Sequence, residues 1–325
     1  MAALPPADGK QPEHYLLELL AELARVRYEF IPPTPETHRR VVARRASSVA
    51  GDLRDVLGWS LGFSRDSVPD RLFDLLSHAQ VLTKRDGEYR SSVRVASVDG
   101  RLFLHSAYPT DKPDSVFLGP DTYRFVRMVR TELAEGPPVR RLVDIGAGAG
   151  VGAIVAHEYC PGAQLALIDT NPLALRFASI NARHAGASVE LIQGSGLDDL
   201  RGNFDLAIAN PPFIADPAGP AYRDGRGAIG SELLLTWAGA AMRRVVPGGR
   251  VLLYTGSPVI AGRDSIKEAL HTMAADQRCS LRYEELDPDI FGEELDKSAY
   301  RNVERIAAVM AVVSKPGDPP PANGR

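Results

Sequence analysis

At 325 residues the chain suits one large or two medium domains, and 44% hydrophobic with 24% charged content fits a globular protein with a sizeable core. A net charge of −3 neither demands nor excludes a nucleic-acid partner. Two cysteines far apart, Cys160 and Cys279, leave no disulfide framework and point to no metal site. The first residues lack a basic segment followed by an apolar run, and no stretch approaches the roughly 18–20 apolar residues that span a bilayer. A cytoplasmic location with no membrane partner is therefore expected.

Residues 1–12 are rich in Pro, Ala and Gly and are expected to form a disordered tail, as are residues 314–325. From 13 to 113 the pattern is mostly helical. Leu16, Leu19, Leu20 and Leu23 fall on one face at helical spacing, and SVPDRLFDLLSHAQVL carries a Ser/Pro start followed by another apolar stripe. VLTKRDGEYRSS and VRVASVDGRLFLHSA each place Asp-Gly between β-like runs, a strong hairpin signal. Helices followed by a hairpin read as a winged-helix-like or small α+β module. HRRVVARR (38–45) offers a basic helical face, but residues 1–112 hold 16 Lys and Arg against 15 Asp and Glu, so a solvated, salt-bridged face is expected there rather than a grip on phosphates.

From 114 to 313 the pattern changes to alternating strand and helix. VRRLVDIGAGAG, AQLALIDTN, SVELIQGSG and NFDLAIANPP are short apolar strands that end in polar residues or glycine, separated by helical stretches. This is the pattern of an α/β, doubly wound, Rossmann-like parallel sheet, which binds its ligand at the carboxyl ends of the strands. Gly146, Gly148 and Gly150 close the first strand and let a ligand approach the main chain. A dinucleotide fingerprint fits poorly, because Val151 occupies the third glycine position and Asp144 would repel a pyrophosphate. An acid there suits a cationic or amine-bearing ligand. Asp169 ends the second strand and can accept both hydroxyls of a ribose, a feature that fits NAD and S-adenosylmethionine equally. The third strand ends in QGSGLDD, where Ser195 and Asp198 are candidates for an adenine contact against a plain solvated loop.

The fourth strand runs into Asn210, Pro211, Pro212 and Phe213. The lone pair of an amide or aromatic amine is delocalised, so such a nitrogen is a poor nucleophile. Two fixed acceptors that hold both of its N–H hydrogens favour a pyramidal nitrogen and aim its lone pair at an electrophilic methyl. Asn210 supplies a side-chain carbonyl and Pro211 a main-chain carbonyl, which Pro212 holds in an extended conformation. Phe213 offers a face to a planar group. Fixed acceptors cost no reorganisation during reaction.

DIGAGAG, IDTNPLAL and FDLAIANPPF together resemble the class I S-adenosylmethionine-dependent methyltransferases. They are most similar to the branch with an (Asn/Asp)-Pro-Pro-(Tyr/Phe) motif, the HemK-type release-factor glutamine methyltransferases and the small-domain RNA methyltransferases. The likeness spans residues 115–311 and is strongest over 140–215. It implies S-adenosylmethionine as cofactor, with Asp144, Gly146 and Gly148 at its methionine end, Gly150 among the cofactor-binding residues and Asp169 at its ribose. Asn210 to Phe213 would face the acceptor nitrogen, and VFLGPDTYRF (116–125) would pack over the cofactor. Two departures stand out: Phe213 replaces a commoner Tyr, and Ser195 replaces a common Asp. The acceptor implied first is a protein glutamine, in a translation factor for example. The amino group of a base in RNA or DNA comes second and a small metabolite nitrogen third. The competing class is a non-catalytic, cofactor-binding regulator, against which the intact corner argues. Tyr222, Arg223 and Asp224, among glycines after the motif, are read either as a segment that closes over substrate or as an uninvolved loop.

Overall fold

The computed structural model describes residues 9–45, 49–216, 219–220 and 222–317. Residues 1–8 and 318–325, most of the two expected tails, lie outside the described residues. Four helices come first: α1 (Pro12–Arg25), α2 (Pro35–Ala43), α3 (Leu53–Leu57) and α4 (Asp70–His78). The expected leucine stripe of α1 is buried. Thr34 caps α2 by accepting from the Thr37 N–H at 3.2 Å, and Pro35 enters the first turn, where its missing donor costs nothing. Two hairpins follow, β1 (Leu82–Arg85) with β2 (Glu88–Ser91) and β3 (Val93–Val98) with β4 (Arg101–Ser106). Both turn at Asp-Gly. Asp86 and Gly87, like Asp99 and Gly100, have positive φ, as a two-residue turn needs to match the strand twist.

The remainder alternates as expected: α5 (Pro120–Glu135), β5 (Arg141–Ile145), α6 (Val151–Tyr159), β6 (Gln164–Asp169), α7 (Pro172–His184), β7 (Val189–Gln193), β8 (Phe204–Ala209), α8 (Glu232–Arg244), β9 (Val245–Ile260), β10 (Arg263–Asp264), α9 (Ser265–Asp276), β11 (Ser280–Asp287) and β12 (Arg305–Ser314). The sheet order is β7-β6-β5-β8-β9-β12-β11, with the short β10 pairing β9. The first five strands are parallel, and β12 and β11 close the sheet antiparallel. Leu142, Val143, Leu206, Ala207 and Ile208 are completely buried, because helices cover both faces of the parallel strands. One core lies beneath α8 and α9. The other runs without a break from the N-terminal helices through α5, α6 and α7.

The buried Asn181 of α7 joins these layers. Its side chain accepts from the Leu104 N–H at 2.8 Å and donates to the carbonyls of Leu104 and Ala149 at 3.1 and 2.9 Å. One amide thus fastens the second hairpin to the loop after β5, with its polar atoms satisfied as burial requires. The chain leaves β5 toward β6 on one side of the sheet and leaves β8 toward β9 on the other. The carboxyl ends of β5 and β8 therefore lie side by side at a topological switch point, where a crevice opens. The connection from β11 to β12 lies in a stretch without sequence periodicity. It folds as two 3₁₀ turns, Gly292–Asp296 and Ser298–Tyr300.

Candidate active site

A cavity of about 570 Å³ occupies that crevice, within the size range of small-molecule sites. Asp144, Gly146, Gly148, Asp169, Ser195, Asn210, Pro211, Pro212 and Phe213 all line it. Gly150 is not among the lining residues; it sits at the start of α6 in a left-handed conformation, packed on Ile154, Leu167 and Ala178. Asp198 is exposed and also outside the lining.

The glycine-loop end is built from strand termini. Asp144, 2% exposed, accepts from the Ala153 N–H in the first turn of α6 at 3.0 Å. Burial pushes its carboxyl up to about 7; the Ala153 N–H opposes that shift and the nearby Asp169 charge adds to it. Gly146 has φ of +72°, and a Cβ there would stand 2.6 Å from the Trp237 ring, so only glycine fits. Asp169 braces the same loop, accepting from Gly148 N–H at 2.8 Å and Asn171 N–H at 2.9 Å. Burial raises the Asp169 carboxyl, and these N–H groups oppose the shift. A carboxylate has about four acceptor sites, so two remain for a ligand's hydroxyls. The Ser195 carbonyl accepts from Trp237 Nε1 at 2.8 Å, which ties the loop after β7 to α8. Phe117, Asp121, Thr122 and Phe125 from the 116–125 segment line the cavity as well. Asp121 accepts from the Tyr254 hydroxyl at 2.6 Å, and burial raises its carboxyl.

The Asn-Pro-Pro-Phe end is assembled from distant segments. Among the described residues nothing hydrogen-bonds the Asn210 side chain, so its amide is available to a ligand. Ile214 N–H donates to the Arg223 carbonyl at 3.0 Å, and Gly225 N–H donates to the Ile214 carbonyl at 2.9 Å. This lays the 222–230 loop directly on the corner. A Cβ on Gly225 would stand 1.9 Å from the Gly230 carbonyl oxygen and 2.6 Å from that of Pro212, so the close approach of main chains requires glycine. Phe213 packs on Gly256 of β9 and meets Phe291 edge-on, with ring centres 5.5 Å apart.

The loop with Tyr222 and Arg223 is tied down on several sides. Tyr222 stacks on Phe117 at 5.2 Å and its hydroxyl donates to the Thr110 carbonyl at 3.0 Å. Arg223 donates to Glu294 at 2.7 Å and pairs with Asp216 at 3.2 Å. Tyr300 accepts from the Ala215 N–H at 2.7 Å. Pro35, Glu36 and Arg39 of α2, with Tyr108, form the N-terminal wall. On the basic helical face, Arg39 and Arg40 both pair with Glu36, and Arg45 pairs with Asp55. The charged lining among the described residues comprises seven carboxyl groups (Glu36, Asp121, Asp144, Asp169, Asp224, Glu293 and Glu294) against three guanidiniums (Arg39, Arg223 and Arg226).

Sequence reasoning missed Trp237, Tyr108 and the Phe291–Glu294 turn. A signal existed for the first: a tryptophan in the apolar stripe of a helix must find a partner for its N–H. The other two come from segments without periodicity, and only the fold brings them to the site.

Residues 126–224 match the family model described as "Methyltransferase small domain". The chain is 31% identical over 169 residues to the release factor glutamine methyltransferase of Bordetella pertussis, a match covering 48% of this chain and 62% of that protein. It is 31% identical over 137 residues to ribosomal RNA small subunit methyltransferase C of Pseudomonas entomophila, covering 40% and 38%. It is 33% identical over 135 residues to the 4-amino-L-phenylalanine/4-methylamino-L-phenylalanine methyltransferase of Streptomyces pristinaespiralis, covering 37% and 45%. The chain spans less than two thirds of the length of each of these three relatives. Among the described residues no helix is long and apolar enough to cross a membrane, and no group of three or more His, Cys, Asp or Glu could hold a metal ion.

Proposed function

We propose, for a chain whose residues 126–224 match the methyltransferase small-domain model, transfer of the methyl group of S-adenosylmethionine to a planar nitrogen. One observation carries this reading: the unpaired Asn210 amide shares a single cavity with the Asp144–Gly148 loop and Asp169. In this reading Asp169 accepts the ribose hydroxyls, the glycine loop takes the methionine end, and Asp144 faces its positive charge. Ser195 stands beside the adenine. The Asn210 side-chain oxygen and the Pro211 carbonyl hold the two hydrogens of the acceptor NH2. The lone pair then points at the sulfonium methyl, and Phe213 covers the acceptor plane. Proximity and alignment supply most of the rate, so no strong general base is needed. The methyl passes to nitrogen as the carbon–sulfur bond breaks, S-adenosylhomocysteine leaves, and the nitrogen sheds a proton to solvent.

The acceptor that best fits is the side-chain amide of a glutamine in a protein. Carboxyl groups outnumber guanidiniums in the lining, which disfavours drawing a phosphate chain into the crevice. The release-factor relative acts on glutamine by its name. A second reading, the exocyclic amine of a nucleobase, draws on the aromatic rings of Phe213, Phe291, Phe117 and Tyr222 along the cavity. The test is to incubate the protein with methyl-labelled donor and cell lysate, then separate protein from nucleic acid. Label in protein, recovered after proteolysis as methylglutamine, is expected. Label confined to RNA or DNA would replace the glutamine reading with the second, and no incorporation into any fraction would contradict methyl transfer to a macromolecule.

A further inference from the structure

Arg94 of β3 is a buried guanidinium, 3% exposed, in the N-terminal module and outside the cavity. Its Nε donates to the Gly58 carbonyl at 2.8 Å, and its Nη2 has no hydrogen-bond partner. Among the described residues no carboxylate pairs with it; the ionisable groups that favour its charge are the phenols of Tyr28, Tyr123 and Tyr108. Burial lowers the guanidinium to about 10, so it stays charged at neutral pH. His105 is its register partner across the β3–β4 hairpin, so the two side chains leave the same face of the ribbon. His105 is fully buried, and neither ring nitrogen has a partner. Burial, then the Arg94 charge, hold it well below its ordinary value, and its neutral ring keeps one N–H to donate. His38, 3% exposed, lies near enough for Arg94 to depress it too, and its Nδ1 is also unpartnered.

Buried polar groups are nearly always hydrogen-bonded, and a buried charge lacking a counter-charge is strongly unfavourable. A trapped water could satisfy donors but could not neutralise the guanidinium. We propose that the N-terminal module binds one small anion between Arg94 and His105, taking charge from the guanidinium Nη2 and a hydrogen bond from the imidazole N–H. The ligand is compact and singly or doubly negative: a halide, an inorganic oxyanion or a short carboxylate. Its place ties β3 to the end of α3 through the Arg94–Gly58 bond. It also stands behind Tyr108, whose ring meets that of His38 at a 30° tilt with centres 3.9 Å apart and which forms part of the N-terminal wall of the cavity.

The test is thermal unfolding of the full chain in chloride, phosphate, sulfate or acetate, with ionic strength held constant by a bulky anion such as gluconate. A saturable rise in Tm with at least one small anion is expected, and the anion that saturates lowest identifies inorganic or carboxylate ligands as the source. Arg94→Met should abolish the response; because it also removes the bond to the Gly58 carbonyl and the contact with the Phe30 ring, the readout is the loss of anion dependence rather than the absolute Tm. A parent whose Tm ignores all four anions, or an Arg94→Met protein that responds like the parent, would overturn the proposal. Crystals grown in bromide give an answer independent of any variant. Anomalous density at Arg94 and His105 is expected, and ordered crystals without it would count against the site.

Discussion

The two ends of the cavity are made in different ways. At the glycine-loop end, three consecutive parallel strands each deliver their last residues. Most of the bonds that hold them run within or between neighbouring strand ends, Asp144 to Ala153, Asp169 to Gly148 and Asp169 to Asn171, with Trp237 on Ser195 as a long-range tie. At the Asn-Pro-Pro-Phe end, β8 delivers four residues, and almost everything around them comes from elsewhere. The 222–230 loop, the Phe291–Glu294 turn, the 108–117 segment and α2 meet there through Arg223–Glu294, Tyr222–Phe117, Phe213–Phe291 and His38–Tyr108. A common methyl donor needs the same cradle whatever the acceptor. An acceptor pocket is specified by parts that can vary independently of the sheet.

That contrast can be broken from either end. The largest effect is expected at Asn210. Asn210→Ala should cut single-turnover methyl transfer by about 10²–10³-fold or more, as does loss of a preorganised polar group at a reacting centre. Donor affinity, measured by calorimetry, should stay within a few-fold; retained turnover would make the corner structural. Gly225→Ala comes next. A Cβ 1.9 Å from the Gly230 oxygen strains the loop, and at 2.6 Å from the Pro212 oxygen it forces loop and corner apart, so stability should fall by about 1–3 kcal/mol. Turnover should drop by more than donor affinity does, because the damage lies at the end proposed to hold the acceptor. Equal losses in both would mean that the two ends are not separable.

Asp169→Ala acts at the opposite end and should weaken donor binding by roughly 10–100-fold, from lost charge-assisted hydrogen bonds and a slackened Gly148. Unchanged calorimetric affinity would remove Asp169 from the site. The smallest effect is a pH dependence at Asp144. Its carboxyl is raised to about 7 in the fold from an unfolded value of 3.8, so the folded chain holds the proton more tightly. Its contribution to stability is therefore fullest below about pH 4 and declines until the group ionises near pH 7. A cationic donor favours the ionised form, so affinity should rise a few-fold between about pH 6 and 7.5. Asp144→Asn should flatten that rise, and a variant with the parent's profile would assign it to another group.

The same contrast explains what could be read from the sequence. The sheet was legible because each strand is a short apolar run that ends at a polar residue or glycine, and because the Asp-Gly hairpins declare their own turns. That Asp144, Gly146, Gly148, Asp169 and Asn210 to Phe213 line one cavity was legible because the end of a strand must emerge at the crevice. Gly150 shows the limit of pattern: three glycines alternate in sequence, but the third begins α6 and packs inward on Leu167. Trp237, Tyr108 and Phe291 were not legible as site residues. A helix stripe fixes which face is buried, not what it is buried against, and the turn between β11 and β12 has no period to follow. The Arg94–His105 pair is hidden for a related reason, since alternation along β3 gives no hint that a charged residue faces inward.

The most direct measurement is a crystal structure of the protein with S-adenosylmethionine bound. The ribose hydroxyls are expected on Asp169, with the sulfonium methyl directed at the space between the Asn210 side-chain oxygen and the Pro211 carbonyl, about 3–3.5 Å from where an acceptor nitrogen would sit. A donor bound with its methyl turned away from that corner, or a cavity still empty at saturating donor, would contradict the proposed geometry.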